Sequence, residues 1–403
     1  MRGLGLVPAV ALVLAGLLLG SCGGPAFTRT PITEALLPYG KPYGIDVRGM
    51  RYFGDHVDAE LVEPALRLQA KKYRAHFPNE VASGRPIKTD SLALSGGGPD
   101  GAFGAGVLTG WTARGDRPKF QAVTGISTGA IIAPFAFLGS QYDPVLKEIY
   151  TQYDTDDFLR QKVVSGLLGG ASLADTSGLR SLIEKYADDG LIADIATEYD
   201  EGRMLFIGTT NIDASRPVMW NIGAIAASGH PDRKRLIHDV IQASAAIPVA
   251  FPPVIIPVEV DGKLYDEMHV DGGATQQVAL LTPSVSLRRL DAMVGTRLDR
   301  TIHIIVNQKT DKPYSPVKPR VMSIAGASVS SLINGSGTGD IYKIFTIAQR
   351  DGAKMRVVAI PRDFEAPRKE QFDPLYMTAL FETGVEMGKS GEFWNPYPED
   401  YEP

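Results

Sequence analysis

The residues that decide the fold are Gly125-Ile126-Ser127-Thr128-Gly129. An apolar run at 120–124 precedes them and predicts a strand, and an apolar run at 130–138 follows them and predicts a helix. A G-x-S-x-G sequence between a strand and a helix is typical of a sharp turn that lifts a serine hydroxyl out of a sheet. Gly125 and Gly129 flank the turn because a strained turn leaves no room for a Cβ. Ser127 is therefore a candidate nucleophile.

A second glycine-rich stretch follows a short apolar strand predicted at 91–95. Residues 96–101 read GGGPDG, and further glycines continue to Gly106. Consecutive glycines at the end of a strand can direct several backbone N–H groups at one point, as in a phosphate cradle or an oxyanion hole. Because Pro99 has no N–H, the donors must come from Gly96, Gly97, Gly98 or the residues after Pro99.

The same loop also matches the dinucleotide-binding pattern G-x-G-x-x-G through Gly96, Gly98 and Gly101. That pattern needs an acidic residue after the next strand to hold the ribose, and Asp116 lies before that strand. A dinucleotide site is therefore the weaker interpretation of this loop.

Short apolar segments alternate with helical ones through the rest of the chain. Further strands are predicted at 204–209, 264–270, 302–306 and 356–360, and further helices at 58–76, 179–186 and 234–246. This alternation predicts an α/β fold with a mainly parallel sheet covered by helices on both faces. A mostly helical excursion between 141 and 203, which includes the glycine-rich apolar stretch 163–173, suits either an ordinary helical layer or part of a lid or acyl-chain wall.

A candidate base lies at the end of the strand predicted at 264–270. Its alternating pattern places Glu267, His269 and Asp271 on one face, and Asp271-Gly272-Gly273 ends it. An Asp-Gly pair alone is usually a turn. A serine nucleophile nevertheless needs a proton acceptor, and this carboxylate is available.

No histidine has the position that the usual catalytic triad requires. His230, His238 and His269 precede Asp271 in the sequence, whereas α/β-hydrolases place the histidine after the acid. His303 follows it but lies within the apolar strand 302–306, which favours a structural role. An aspartate would then serve directly as the base.

Four segments taken together resemble the patatin-like phospholipases. In order they are the glycine loop 96–106, the serine turn 125–129, Ala-Ser-Ala-Ala-Ile-Pro at 243–248 and Asp271-Gly272-Gly273. The resemblance covers roughly residues 90–310 and implies a three-layer α/β/α fold with a mainly parallel central sheet. It also implies a lipid acyl hydrolase with a Ser–Asp dyad. Such a mechanism needs no cofactor and no metal, and the metal-binding pattern H-E-x-x-H is absent from the sequence.

Position by position, the resemblance assigns roles to five residues. Ser127 would be the nucleophile and Asp271 the base, and Gly96, Gly97 and Gly98 would supply the oxyanion hole. The family's glycine loop commonly continues with an arginine two residues after the third glycine, where this chain has Pro99-Asp100. The substrate implied is a phospholipid or another acyl-ester lipid.

Composition and the N-terminus bear on partners and location. The net charge of −5 offers no basic surplus for nucleic acid. Met1-Arg2 and the apolar run 4–19 are typical of a secretory signal, and Leu19-Gly20-Ser21-Cys22 resembles a bacterial lipobox. Cys22, the sole cysteine, is then the predicted lipidation site of an exported, membrane-anchored lipoprotein, periplasmic or associated with the outer membrane.

The chain accordingly divides into four predicted parts. They are a signal peptide (1–21), a tether and N-terminal extension (22–88), a catalytic domain (89–310) and a C-terminal extension that completes or covers the sheet (311–403). Two other functions stay open at this point. One is a lipid-binding surface lipoprotein without catalysis, and the other is a histidine-dependent serine esterase.

Overall fold

The computed structural model describes residues 29–57, 59–161, 174–280, 285–309, 314 and 316–402. The predicted signal peptide, Cys22 and the stretch 163–173 lie outside these residues. Within the described ranges, no helix is both long and apolar enough to cross a bilayer.

Ten of the strands in the described ranges form one mixed sheet, and β5 and β6 pair only with each other. The strands are β1 (Lys41–Pro42), β2 (Arg51–Phe53), β3 (Ile87–Leu94), β4 (Ala122–Ile126), β5 (Arg160–Gln161), β6 (Ala174–Asp175), β7 (Met204–Asn211), β8 (Arg216–Asn221), β9 (Val254–Val260), β10 (Lys263–Asp271), β11 (Leu298–Lys309) and β12 (Lys354–Ile360).

Helices occupy most of the connections between these strands. They are α1 (Ala59–Ala75), α2 (Pro78–Ser83), α3 (Gly101–Arg114), α4 (Thr128–Leu138), α5 (Asp143–Thr151), α6 (Thr155–Phe158), α7 (Ser177–Tyr186), α8 (Asp189–Asp200), α9 (Ile222–Ala227), α10 (Arg233–Ser244), α11 (Leu287–Val294), α12 (Val321–Asp351) and α13 (Pro374–Ser390). Short 3-10 turns occur at Glu34–Tyr39, Gly98–Asp100, Ser140–Tyr142 and Gly272–Ala274.

The centre of the large sheet is parallel and one side is antiparallel. The strand order is β1-β9-β10-β7-β4-β3-β11-β12, and β8 and β2 continue outward from β7. The pairs among β7, β4, β3, β11 and β12 are parallel, whereas β10 and β8 run antiparallel to β7. The predicted α/β fold with a mainly parallel central sheet is confirmed, with antiparallel strands added beyond β7.

Both faces of the central strands are buried, which makes three layers. In β3, Leu92 and Leu94 belong to the larger core, which includes residues of α3, α4 and α10. Ala93 points to the other face and packs in a core with Ile344 and Phe345 of α12. Strands buried on both faces are typical of parallel sheets covered by helices.

The start of one strand differs from the sequence prediction, and one Gly/Ser-rich segment for which no element was predicted is helical. Strand β3 begins at Ile87 rather than at residue 91, so the predicted boundary between 88 and 89 falls inside a strand. Its first residues alternate between buried and exposed, so they lack the continuous apolar run of 92–94. The Gly/Ser-rich segment 323–339 lies within the long helix α12.

Candidate active site

Ser127 occupies the sharp turn between β4 and α4. Its backbone has φ of 54° and ψ of −123°, a conformation that a non-glycine residue adopts only when its surroundings enforce it. A Cβ on Gly125 would lie 2.2 Å from the carbonyl oxygen of Gly129, and one on Gly129 would lie 2.4 Å from that of Leu94. The glycines of the G-x-S-x-G sequence are therefore required by the close backbone approach, as the sequence predicted.

The topology brings Asp271 to the same place. Strands β4 and β10 both pair with β7 and meet end to end along it, because Ile126 is opposite Gly208 and Asp271 is opposite the next residue, Thr209. β4 is parallel to β7 and β10 is antiparallel, so their carboxyl ends face each other. The serine turn and the aspartate therefore adjoin at the middle of the sheet.

The Asp271 carboxyl group is buried and incompletely hydrogen-bonded. Asp271 is only 2% exposed, and its Oδ1 accepts a hydrogen bond from the Gly273 N–H at 2.7 Å. Oδ2 has no partner of hydrogen-bond geometry among the described residues. Burial raises the pKa of Asp271 to about 7, and the nearby Ser127 hydroxyl and the Gly273 amide partly offset that rise. Near neutral pH this carboxyl can both take and return a proton.

The Ser127 hydroxyl is close enough to stabilise the charged form of Asp271, although the two side chains do not form an ideal hydrogen bond. Catalytic hydrogen bonds are often long or poorly aligned in the absence of substrate. Proton transfer therefore requires a better alignment of the two side chains than they have in this structure.

The segment 243–248 holds both residues in place. The Ser244 hydroxyl accepts a hydrogen bond from the Ser127 N–H at 2.9 Å and donates to the Gly208 carbonyl at 2.6 Å. The Ala246 carbonyl accepts from the Asp271 N–H at 2.8 Å. The sequence singled out this segment only through the family resemblance, and the structure gives it a positioning role.

The glycine loop lies beside the two residues. Gly97 and Gly98 line the same cleft as Ser127 and Asp271, and neither N–H donates to a protein acceptor among the described residues. The Gly96 N–H instead donates to the Gln277 carbonyl at 3.4 Å. Of the three predicted oxyanion donors, Gly97 and Gly98 are thus free and Gly96 is engaged elsewhere.

Asn307, at the end of β11, braces this loop. Its amide oxygen accepts from the Gly104 N–H at 3.0 Å, and its amide nitrogen donates to the Ser95 carbonyl at 2.9 Å. Its backbone N–H donates to the Ser95 hydroxyl at 2.7 Å. A Cβ on Gly97 would lie 2.0 Å from the Asn307 carbonyl oxygen, so the loop and β11 are in direct contact.

Asp100, which stands where the resembled family commonly has arginine, also has a structural partner. Its carboxylate accepts from the Tyr376 hydroxyl of α13 at 2.8 Å, and burial raises its pKa. Sequence reasoning missed Asn307 and Tyr376 because each is a single polar residue far along the chain. The signal in the sequence was only an asparagine that ends an apolar strand.

The cleft has a volume of about 1270 Å³. Besides the catalytic candidates, it is lined by Lys309 and by residues of α12 and of the segment before α13, among them Ile333 and Arg368. A space of this size can hold a large part of an acyl-ester lipid.

The histidines are engaged elsewhere, and none of the described residues that line the cleft is a histidine. His269 is fully buried and shares hydrogen bonds with Thr209 at 2.9 Å and Glu267 at 3.1 Å. His303 shares a hydrogen bond with Asp90 at 2.8 Å. This geometry does not support the histidine-dependent esterase.

Metal and dinucleotide sites find no support in the described part of the chain. No group of three or more His, Cys, Asp or Glu side chains there is arranged to hold a metal ion. Asp116, the acid weighed for a ribose, is exposed and pairs with Arg114 at 2.7 Å at the end of α3. The glycine loop faces Ser127 instead.

Comparisons with known proteins find a match to a family and similarity to solved structures. Residues 92–282 match the family described as patatin-like phospholipase. The crystal structure of VipD from Legionella pneumophila is similar with a TM-score of 0.35 and 12% identity, over 76% of this chain and 67% of that one. No curated protein matches the chain.

Proposed function

We propose that the chain is a serine acyl hydrolase that cleaves acyl ester bonds of phospholipids or related lipids, from the premise that residues 92–282 match the patatin-like phospholipase family. Ser127 is the nucleophile, Asp271 is the base, and Gly97 and Gly98 donate hydrogen bonds to the oxyanion. Gly96, the third residue of the predicted oxyanion hole, contributes through the shape of the loop.

One observation carries this proposal. A serine at φ of 54° shares a cleft with a buried aspartate whose pKa is raised to about 7. A normal aspartate has a pKa of about 4 and is a weak base, so the raised pKa supplies what a histidine would otherwise provide.

The reaction has two steps. In the first, Asp271 accepts the Ser127 hydroxyl proton while the serine oxygen bonds to the ester carbonyl carbon. The bond to the leaving alcohol breaks, and Asp271 returns the proton to that alcohol. In the second, a water molecule attacks the acyl-enzyme, gives a proton to Asp271 and releases the fatty acid, after which Ser127 recovers its proton. The amides of Gly97 and Gly98 stabilise the oxyanion in both steps, each by about 3 kcal/mol in comparable sites.

The decisive experiment measures hydrolysis of a p-nitrophenyl acyl ester by three variants. Ser127→Ala and Asp271→Asn should each lower kcat by roughly a thousand-fold or more, as removal of catalytic groups does in other serine hydrolases. His303→Gln should keep the activity of the folded protein, because His303 lies outside the cleft. Normal turnover by Asp271→Asn would rule out the dyad.

A lipid-binding protein without catalysis remains the second candidate, because Gly96 donates to Gln277 rather than to the cleft. A fluorophosphonate probe separates the two functions, since it labels only an activated serine. Labelling that is lost in Ser127→Ala supports the hydrolase, and absence of labelling in the folded wild type supports lipid binding alone. The lipids that wild type, but not Ser127→Ala, removes from vesicles would then identify the substrate.

The location also remains a proposal. We propose that the chain is exported and anchored through a lipid on Cys22, on the basis of the sequence resemblance to a lipobox. The anchor would hold the active site near its membrane substrate. Retention of Cys22→Ser in the membrane fraction as a fully processed protein would contradict this proposal.

A further inference from the structure

The residues in the first half of α12 whose burial is described are exposed or half-buried, and this half of the helix carries no charge. From Val321 to residue 339 the sequence contains no Asp, Glu, Lys or Arg. None of the residues 321–336 whose burial is described is buried. Burial begins at Gly337 and Asp340, where the second half of the helix enters the core. About four turns of helix therefore lie at the surface without the charges of a solvated helix, and no residue among them whose burial is described is buried.

One face of this half-helix presents large apolar side chains to solvent. Val321 is 81% exposed, Ile324 52% and Leu332 73%. Their spacing of three and eight residues places them on a single side of the helix. Just before the helix, Tyr314 is 93% exposed and Val317 52%. We call these five residues the docking face.

The same helix also lines the cleft. The cleft residues Ala327, Ile333 and Asn334 lie roughly 110° to 130° around the helix from the centre of the docking face at 100° per residue. Val317 and Ser331 line the cleft at the edge of that face. The helix is also attached to the catalytic segment, because the Asp340 carboxylate accepts from the N–H groups of Gln277 at 2.7 Å and Val278 at 3.1 Å. The helix thus borders the active-site cleft and presents the docking face to solvent beside it.

Two cations accompany the docking face. Lys318 and Arg320 immediately precede α12, both are exposed, and neither has an ion-pair partner among the described residues. Unpaired cations beside an uncharged apolar helix complement a surface that is anionic at its head groups and apolar beneath them.

We propose that the docking face inserts into the surface of an anionic phospholipid bilayer and thereby places the cleft at the membrane from which its substrate comes. The proposal rests on the proposed lipid hydrolase function for its choice of a lipid surface over a protein partner. Exposed apolar patches beside a binding cleft mark contact surfaces, and a lipid surface is the one that shares its chemistry with the substrate.

The direct test uses tryptophan as a depth probe in the full-length chain. Leu332→Trp is mixed with vesicles of phosphatidylglycerol and phosphatidylcholine, some of them carrying brominated acyl chains, which quench tryptophan fluorescence. The matched control is Leu264→Trp, because Leu264 is 72% exposed but lies at the β9–β10 turn, at the far end of the strand from Asp271. We expect bromolipid to quench the emission of Leu332→Trp roughly two-fold more than that of Leu264→Trp. Equal quenching of the two variants would overturn the proposal.

A second test separates docking from catalysis. The double variant Ile324→Asp with Leu332→Asp should hydrolyse vesicle phospholipid roughly ten-fold more slowly than wild type, because a charged group enters the bilayer at a high cost. Its hydrolysis of a soluble p-nitrophenyl ester should stay within about two-fold of wild type, and Leu264→Asp should change neither rate. Equal loss of both activities would overturn the docking role.

The two proposals fail in different ways. If wild type hydrolyses no ester but Leu332→Trp is still quenched, the docking face stands and the hydrolase does not. If the soluble ester is hydrolysed and no quenching occurs, the hydrolase stands and the docking face does not. Self-association of wild type that the double Asp variant abolishes, without vesicle binding, would assign the face to a second copy of the chain and also overturn the proposal.

Discussion

The carboxyl group of Asp271 sets the pH range of the proposed reaction. Its pKa is raised to about 7 by burial, and only its ionised form can accept the Ser127 proton. We expect kcat/KM for a soluble ester to rise roughly ten-fold between about pH 6 and about pH 8 and then to level off. A rate assay read at a wavelength that does not depend on nitrophenol ionisation checks this. A profile that is already flat near pH 5 would mean that Asp271 ionises normally.

The same burial lowers the stability of the folded protein when Asp271 is ionised. Its folded pKa lies above the unfolded value of 3.8, so folding favours the protonated form. The stability that this form provides is complete below about pH 4 and is lost as the pH rises through about 7. Asp271→Asn avoids the loss, because an amide does not ionise.

Asp271→Asn should therefore be less active and yet gain stability relative to wild type as the pH rises. The difference in unfolding free energy between variant and wild type should increase by about 2 to 3 kcal/mol from about pH 5 to about pH 8. Urea denaturation at the two pH values measures it. A difference that does not change with pH would show that the carboxyl is not desolvated as described.

Single residues also show what the sequence could predict. The alternation in 264–271 correctly placed Glu267, His269 and Asp271 on one buried face, because a strand has a fixed period of two. The sequence could not tell that the Gly96 N–H would point at Gln277. That bond depends on where a segment about 180 positions later passes, and no local pattern encodes it.

At the level of elements, the glycine loop depends on β11. Asn307 joins Ser95 and Gly104 by side-chain hydrogen bonds, and it is fully buried. Asn307→Ala should lower kcat on a soluble ester by roughly ten- to a hundred-fold with little change in KM, because misplaced oxyanion donors weaken the transition state more than substrate binding.

The control for this variant is Asn221→Ala. Asn221 is also buried and accepts a backbone hydrogen bond, from the Ala224 N–H at 3.0 Å at the start of α9. We expect both variants to lose about 1 to 3 kcal/mol of stability in denaturant titrations. Equal effects of the two on kcat would indicate that Asn307 matters only for folding.

Elements with strong periodic patterns were predictable and elements without them were not. The helix predicted at 58–76 is α1 (Ala59–Ala75), and that predicted at 234–246 is α10 (Arg233–Ser244). The Gly/Ser-rich segment 323–339 gave no helical signal because glycine and serine are weak helix formers, yet it lies within α12. The second half of α12 is stabilised as a helix because Ile344 and Phe345 pack in the core against the sheet.

Over the whole molecule, the region that matches the family is not a separable unit. The match ends at residue 282, whereas β11 (Leu298–Lys309) lies inside the sheet between β3 and β12. Helix α13 packs on α3 so closely that a Cβ on Gly106 would lie 2.0 Å from the Phe381 carbonyl oxygen. The C-terminal third therefore helps to form the central sheet and the helical layer.

A fragment of residues 89–310 should accordingly fail to fold. It retains β11 but lacks β12, α12 and α13, and so exposes the edge of β11 and the surface of α3. Soluble yield and circular dichroism, compared with those of the chain from residue 29 to 403, measure the effect. A cooperative unfolding transition of the fragment would contradict this expectation.

The pairing of β3 with β11 has a consequence for the order of events during synthesis. Asp90 and His303, which share a hydrogen bond across these neighbouring strands, are 213 positions apart. The central ladder thus cannot close until three quarters of the polypeptide has left the ribosome, and long-range strand pairing is slow because the chain must first form a large loop. The nascent chain therefore lacks its native sheet for most of translation. During that time it is in the unfolded state that passage through a translocation pore requires, and it depends on chaperones until its last strands have been synthesised.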